Sequence, residues 1–352
     1  MSLGPIMLDL EGPQLLPEER ELLSHPLTGG VILFSRNYRT PEQLSALVAD
    51  IHGVREPQLL VAVDHEGGSV QRFREGFTVL PAARRFGEIH GRDPDRARVL
   101  AEACGWLMAA ELRAHDVDFS FAPVLDLGKG RSRVIGDRAF HRDPKTVARL
   151  AGAVARGMKR AGMASVGKHF PGHGTVEADS HVDIPIDPRT LETILSRDLI
   201  PFARMIRSGL PAMMPAHVIY PKVDERPAGF SPVWLRSILR GQLGFQGAIF
   251  SDDITMAGAA WAGDSIERAR SALNAGCDMM LVCNNRQGVQ EILAGLVEYH
   301  DPVSALRLAR LHGRGRYHRA ELSAWAEHRQ AAALLCALES EPELDLHDDR
   351  PI

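Results

Sequence analysis

The sequence lacks several features that would mark whole classes of protein. It has 352 residues, a formal net charge of −4 and no dense block of lysine and arginine, so we expect no nucleic-acid partner. No apolar run approaches the roughly 20 residues that cross a bilayer, so we expect no membrane partner. The N-terminal MSLGPIMLDLEG has no basic segment and already contains Asp9, which argues against a secretory signal and favours the cytoplasm.

Cysteine is also scarce. The four cysteines are scattered and none belongs to a CxxC pair: Cys104, Cys277, Cys283 and Cys336. We therefore expect free buried thiols in a reducing compartment, and neither disulfides nor a zinc site. Apolar residues make up 45% and charged residues 24% of the chain, which is ordinary for a globular protein with a large core.

Short, nearly continuous apolar runs recur along the chain, as is typical of strands buried on both faces of a parallel sheet. There are eight of them, at residues 5–10, 29–34, 59–64, 117–127, 163–170, 212–218, 247–253 and 278–283. Capped helical patterns connect them, for example the one that begins at Thr40 and Pro41. We predict an α/β fold, a single-domain (β/α)8 TIM-like barrel; an open doubly wound sheet is the alternative.

The barrel should occupy residues 1–335. After about residue 310 the pattern remains helical but no further strand is visible, and we assign residues 336–352 to an acidic C-terminal tail. Neither a linker nor an internal repeat is evident, so we predict one catalytic unit. As a separate expectation, we take the protein to be a monomer.

Polar residues cluster where the predicted strands end. Asp64 ends the third, Lys168 and His169 end the fifth, His217 follows the sixth, and the SDD of residues 251–253 ends the seventh. Active sites of β/α barrels lie at the C-terminal ends of the strands. These ionisable groups should therefore converge on one pocket.

The densest group of titratable side chains is the segment KHFPGHGTVEADSH, from Lys168 to His181. Its proline and glycines predict an ordered loop, whose histidines could simply cap carbonyl groups. Zinc binding is a second alternative, but the four-residue histidine spacing has no helical meaning here, and we predict no metal. Asp179 and His181 are two residues apart and share one side of an extended segment. Because a carboxylate raises the pKa of a neighbouring imidazole, this pair suits proton transfer.

Three further segments supply candidate ligands for a substrate. In FSDDITM, adjacent carboxylates point in different directions, so we assign the reactive role to Asp252 and a helix-capping role to Asp253. In DHEGGSVQRF, Asp64 and Arg72 flank a Gly-Gly turn and form either a surface ion pair or a clamp on sugar hydroxyls. Arg138, in RSRVIGDRAF, is a weaker signal taken alone.

Together these segments resemble the bacterial β-N-acetylhexosaminidases of glycoside hydrolase family 3. The KHFPGHG and DSH motifs are both intact, and the stretch from Pro215 to Met256 is similar throughout. The resemblance covers roughly residues 5 to 300. Within the family, the sequence is most similar to the cytoplasmic single-domain enzymes that recycle cell-wall fragments. Ile254 and Thr255 stand where Leu and Ser are common in the family, without affecting the chemistry.

The resemblance implies a retaining exo-β-N-acetylglucosaminidase that acts on muropeptides and needs no cofactor. Asp252 would be the nucleophile, His181 the acid/base and Asp179 its orienting partner. The N-acetylglucosamine ring would be bound by Asp64, Arg72, Arg138, Lys168 and His169. The competing hypotheses are a β-glucosidase or phosphorylase of the same fold, a sugar-binding protein without catalysis, and a metallohydrolase.

Overall fold

Eight parallel strands form the centre of the molecule. The computed structural model describes residues 2–129, 132, 134–174, 176, 184–296, 299–315 and 317–340. The strands are β1 Ile6–Asp9, β2 Thr28–Leu33, β3 Leu60–Val63, β4 Phe119–Ser120, β5 Ala164–Phe170, β6 Ala212–Pro215, β7 Ala248–Ile249 and β8 Met280–Val282. Each coincides with one of the eight predicted apolar runs.

The sheet curls into a closed barrel. Its strand order is β7-β6-β5-β4-β3-β2-β1-β8, with every ladder parallel. The two end strands of this order, β7 and β8, are joined by a parallel bridge between Phe250 and Met279. The predicted (β/α)8 barrel is therefore confirmed, and the open doubly wound sheet is excluded.

Helices cover the outside of the barrel and bury the outer faces of its strands. They are α1 Pro17–Ser24, α2 Pro41–His52, α3 Ala83–His90, α4 Pro94–Arg113, α5 Pro144–Arg160, α6 Leu191–Ser196, α7 Leu199–Arg207, α8 Ser265–Ala275, α9 Arg286–Gly295, α10 Pro302–Ala309, α11 Arg319–Leu322 and α12 Ala326–Ser340. Thr40 caps α2 as predicted, and Asp143 and Asp264 cap α5 and α8; each of these side chains accepts an N–H from the first turn of its helix. None of the described helices combines the length and apolarity that a bilayer crossing requires.

Two elements differ from the sequence prediction. The run 117–127 forms only a two-residue strand and a bridge from Val124 to Lys168, because Pro123 has no N–H to continue the ladder. The helical segment between β6 and β7 is present at Val233–Gln242, as the alternation of strands and helices predicts, but its hydrogen bonds follow the wider π pattern.

The interior of the barrel is filled by side chains. The rings of Phe119 in β4, Phe121 just after it and Phe250 just after β7 meet with centroids 5.3–5.4 Å apart. All three are fully buried. The barrel is therefore a packed core and offers no channel from one end to the other.

The C-terminal segment packs on the outside of the barrel. Helix α12 runs past residue 335, where we placed the end of the catalytic unit, and its Leu335 and Leu338 are buried. Residues 341–352 of the predicted tail lie outside the described residues.

Candidate active site

A pocket of about 430 Å³ opens at the C-terminal ends of the strands, which is within the usual size range of ligand sites. Its walls come from the ends of β2, β3 and β5 to β8 and from the loop after β4. It is lined by Ile32, Phe34, Asp64, Ser69, Val70, Arg72, Val134, Arg138, Lys168, His169, His173, Met214, Asp252, Asp253, Met256, Leu281, Cys283 and Asn284. Six predicted site residues thus meet in one pocket: Asp64, Arg72, Arg138, Lys168, His169 and Asp252.

Lys168 forms the centre of an ionic cluster on one wall. Its Nζ lies 2.9 Å from Asp64 Oδ1 and 2.7 Å from Glu66 Oε1, and its side chain is only 3% exposed. Burial alone would lower the pKa of Lys168, but the carboxylates of Asp64 and Glu66 raise it above the ordinary value. The lysine is therefore a permanently charged donor at the pocket wall.

Glu66 is a member of this cluster that sequence reasoning missed. It accepts two hydrogen bonds from Arg138, from Nε at 2.9 Å and from Nη2 at 2.7 Å. Burial would raise the pKa of the Glu66 carboxyl, yet Arg138 and Lys168 lower it well below its usual range. A signal was available, because Asp64 and Glu66 have the two-residue spacing that places side chains on the same side of extended backbone.

Arg72 lies beside this cluster, just after a short hairpin. Strands His65–Gly67 and Val70–Gln71 form that hairpin, and its turn uses positive φ values of 105° at Gly67 and 56° at Gly68. The guanidinium is 3.8 Å from Asp64 Oδ2 and lies 5.6 Å from the centre of the Phe34 ring. The long Arg72–Asp64 separation leaves both groups available to a ligand in the pocket.

His169 is held by a buried carboxylate that we had not singled out. Asp126 Oδ2 lies 2.7 Å from His169 Nδ1, and Oδ1 accepts the His173 N–H at 2.6 Å. Burial would raise the pKa of the Asp126 carboxyl, but His169 and His173 lower it, so the group is anionic. An anionic acceptor places the His169 proton on Nδ1 and leaves Nε2 as the nitrogen that a ligand can reach.

Asp252 and Asp253 have different environments, but the helix-capping role predicted for Asp253 is wrong, because the next helical turn, Ala257–Ala262, begins after Met256. Asp252 Oδ1 accepts the Asp253 N–H at 2.9 Å, and the pocket wall leaves the rest of its carboxylate accessible. The Asp253 carboxylate instead accepts hydrogen bonds from the Thr255 N–H, the Thr255 hydroxyl and the Cys283 N–H. Asp253 therefore ties the loop after β7 to the end of β8.

The two carboxyls also differ in acidity. Burial tends to raise the pKa of Asp252, but the neighbouring His217, His169 and Asp253 N–H lower it below its ordinary value. Burial, with the nearby charge of Asp252, raises the pKa of Asp253 to about 6. Environments that separate two adjacent carboxyls in this way are a common basis for assigning them different chemical roles.

Asp179 and His181, the predicted proton-transfer pair, lie outside the described residues, so their role stays a prediction. The loop that leads to them is well anchored at its start. The Gly172 N–H donates to His169 O at 2.8 Å, and the Tyr220 hydroxyl donates to Gly172 O at 2.9 Å. In the described part of the chain, no group of three or more His, Cys, Asp or Glu side chains has the arrangement of a metal site.

Comparison with known proteins places this pocket in a family. The model of the glycosyl hydrolase family 3 N-terminal domain matches residues 7–310, which include nearly the whole barrel. The chain belongs to glycoside hydrolase family 3. A protein named beta-hexosaminidase from Thioalkalivibrio sulfidiphilus is 58% identical over 346 residues, which cover 98% of this chain and 99% of the relative. Another of the same name, from Thiobacillus denitrificans, is 62% identical over 314 residues, which are 89% of this chain and 87% of that one.

A solved structure extends the likeness to three dimensions. NagZ from Neisseria gonorrhoeae, in complex with N-trifluoroacetyl-D-glucosamine, matches with a TM-score of 0.92 and 46% identity over 97% of this chain and 99% of that one. The resemblance drawn from the sequence motifs is therefore confirmed. The protein is a glycoside hydrolase with a (β/α)8 barrel, and the relatives described above are β-hexosaminidases.

Proposed function

We propose that this protein is a retaining exo-β-N-acetylglucosaminidase that removes terminal non-reducing N-acetylglucosamine from peptidoglycan fragments in the cytoplasm. Its substrates would be N-acetylglucosamine-anhydro-N-acetylmuramyl peptides. One observation carries the proposal: five charged or polar side chains from separate parts of the barrel surround the accessible carboxylate of Asp252 in a single pocket. The neighbouring NagZ structure, which contains an N-acylated glucosamine, supports the same class of ligand.

The ionic wall would hold the sugar. Lys168 and Arg138 present N–H donors, while Asp64 presents carboxylate oxygens, and sugar hydroxyls can both donate and accept. Since these groups are already paired with one another, little reorganisation is needed when hydroxyls join the network. Because these protein groups are already in place, they can fix the orientation of the sugar ring at a small entropic cost.

The size of the pocket is compatible with action at a chain end. Its volume of about 430 Å³ is near the small end of the range for ligand sites. A terminal sugar ring can occupy it while the remainder of the substrate stays outside, which supports exo-hydrolysis.

Asp252 would begin the reaction as the nucleophile. With Oδ1 held by the Asp253 N–H, no donor among the described residues binds Oδ2, which is free to attack the anomeric carbon. The bond from that carbon to the carboxylate forms as the glycosidic bond breaks, and protonated His181 gives its proton to the leaving oxygen. The lowered pKa of Asp252 keeps it anionic for this step.

His181 would complete the reaction in its neutral form. It takes a proton from water, whose oxygen attacks the anomeric carbon and releases the Asp252 carboxylate. Retaining glycosidases normally use two carboxyl groups about 5 Å apart. A neutral imidazole in place of the second carboxylate repels the anionic nucleophile less. Asp179 would stabilise the protonated form of His181, which is present before the first step and is restored by the second.

Covalent trapping tests this mechanism. A slow-reacting fluorinated N-acetylglucosaminide should label the protein, and peptide mapping should place the adduct on Asp252. The adjacent Asp253 is an internal control. It is also an aspartate, but its carboxylate is already hydrogen-bonded to Thr255 and Cys283, so it should not be labelled. An adduct on any other residue would overturn the mechanism, and turnover of aryl glucosides in preference to aryl N-acetylglucosaminides would overturn the substrate assignment.

A further inference from the structure

His217 is a fully buried histidine to which the proposed reaction assigns no role. It follows β6, and its relative exposure is 0%. The imidazole stacks on the Phe230 ring with a centroid distance of 5.1 Å and an interplanar angle of 11°. The backbone of Gly229 also lies so close to the ring that a Cβ at this position would be 3.2 Å from His217 Nδ1. The ring is therefore fixed in position and orientation.

One nitrogen of this ring reaches the loop that carries the nucleophile. Nε2 of His217 is 3.1 Å from the carbonyl oxygen of Asp253. Since a carbonyl can only accept, the proton must be on Nε2. Burial lowers the pKa of His217, so the ring is neutral near neutral pH and carries this single proton.

The other nitrogen has no hydrogen-bond partner among the described residues. A phenylalanine would stack on Phe230 equally well without leaving a buried nitrogen unpaired. Packing alone therefore does not account for a histidine at this position. The hydrogen bond to Asp253 does, because no hydrocarbon ring can supply it.

That hydrogen bond completes the anchoring of the nucleophile loop. Asp253 is already fixed through its N–H, which donates to Asp252 Oδ1 at 2.9 Å, and through its carboxylate, which binds the Cys283 N–H at 3.2 Å. These contacts tie the loop to β7 and β8. The bond from His217 adds β6, so that three neighbouring strands determine where the Asp252 carboxylate lies.

We propose that His217 is a positioning residue for the nucleophile: its Nε2–H holds the Asp253 carbonyl and so keeps the Asp252 carboxylate aligned with the anomeric carbon. This inference rests on the proposed function of Asp252. Its effect should fall on the formation of the glycosyl-enzyme and leave substrate affinity largely unchanged, because His217 does not line the pocket.

Three substitutions separate the hydrogen bond from the packing. His217→Phe keeps the stacked ring and removes the donor. His217→Gln places an amide N–H near the position of Nε2, whereas His217→Asn places one nearer to Nδ1. The measurement is the rate at which the slow fluorinated N-acetylglucosaminide labels Asp252, together with kcat and KM for an aryl N-acetylglucosaminide and the thermal midpoint of each variant.

We expect labelling to slow roughly 100-fold in His217→Phe, the size of effect that a displacement of about 1 Å can produce. KM should change by less than about threefold, and His217→Gln should recover at least about tenfold in rate over His217→Phe, while His217→Asn should not. Wild-type labelling rates in His217→Phe would overturn the inference, as would equal rates in the Gln and Asn variants. If His217→Phe does not fold, the labelling rates of His217→Gln and His217→Asn alone test the inference. A wild-type protein that is not labelled on Asp252 would instead refute the proposed function, and the inference with it.

Discussion

The two walls of the pocket are built by different means. On the wall formed by β3, β5 and the loop after β4, full charges are paired at short distances: Lys168 with Asp64 and Glu66, and Arg138 with Glu66. On the wall formed by β6, β7 and β8, the contacts around Asp252 are mostly hydrogen bonds to backbone groups. The first arrangement provides a strong and ready-made polar surface, while the second fixes one carboxylate without neutralising it.

This difference suggests a division of labour. An anionic nucleophile paired directly with a lysine would be stabilised in the ground state and would react more slowly. Backbone N–H groups and a neutral imidazole can orient it at less cost to its reactivity. Variants on the ionic wall should therefore lose affinity and stability, whereas variants on the nucleophile wall should lose chemical rate.

The largest expected effect is that of Asp252→Ala. It should reduce kcat by at least about 10³-fold, because no other carboxylate replaces the attacking oxygen. KM for an aryl N-acetylglucosaminide and the free energy of unfolding should change little by comparison. Undiminished activity would contradict the role of Asp252. A loss of stability as large as that of a variant on the ionic wall would contradict the distinction between the two walls.

Lys168→Met should affect both binding and folding. Removing this buried cation leaves Asp64 and Glu66 without their shared partner, so we expect a loss of about 3 kcal/mol in the free energy of unfolding. Loss of a charged donor to the sugar should also lower kcat/KM roughly 10- to 100-fold, mainly through KM. Urea unfolding and steady-state kinetics measure the two effects. The double variant Lys168→Met/Asp64→Asn should regain part of the stability, because Glu66 keeps Arg138 as a partner whereas Asp64 loses its 2.9 Å ion pair. No recovery would contradict the ion-pair explanation.

Glu66→Gln should have a smaller effect of the same kind. Arg138 and Lys168 keep a polar neighbour but lose its charge, and we expect about 2 kcal/mol of destabilisation with a several-fold rise in KM. Glu88→Gln is a matched control, because its 3.2 Å pair with Arg85 is half exposed and should contribute less than about 1 kcal/mol. Equal losses in both variants, measured by urea unfolding, would show that burial of the Glu66 pair is unimportant.

Local patterns predicted the barrel and the pocket residues at its strand ends, whereas Arg138 was assigned to the pocket by the family resemblance. Buried parallel strands are continuous apolar runs, and residues at their C-terminal ends must meet at one face. Glu66 and Asp126 were missed for a different reason. Their importance comes from partners about 70 and 40 residues away, Arg138 and His169, and no local pattern encodes those pairings.

The deviations in secondary structure have similar origins. Pro123 interrupts the predicted fourth strand, which a stricter application of the proline rule would have anticipated. The wider hydrogen-bond pattern of Val233–Gln242 has no comparable signature, since the sequence reads as an ordinary amphipathic helix. The role of His217 is also invisible in the sequence, because it depends on contacts with residues 229–230 and 253.

The smallest expected effect concerns Asp253 and the pH dependence of stability. Its ordinary pKa of 3.8 is raised to about 6 in the folded protein. Between these values the folded state holds a proton that the unfolded state has lost, so this group makes the wild type less stable as the pH rises from about 4 to about 6. Asparagine cannot ionise, and the stability difference between Asp253→Asn and wild type should increase by about 1–3 kcal/mol over this range and then remain constant.

Asp143→Asn provides a control of opposite sign. This N-cap accepts hydrogen bonds from the Thr146 N–H and hydroxyl, which outweigh burial and lower the pKa of Asp143. Its ionised form therefore stabilises the folded state above the ordinary pKa, and the advantage is lost as the pH falls. Urea unfolding of both variants from about pH 2.5 to pH 7 should give difference curves of opposite slope, with the change above about pH 4 for Asp253→Asn and at or below about pH 4 for Asp143→Asn. A flat curve for Asp253→Asn would show that Asp253 is already ionised in the folded protein, and that the two adjacent carboxyls differ only in their hydrogen bonds.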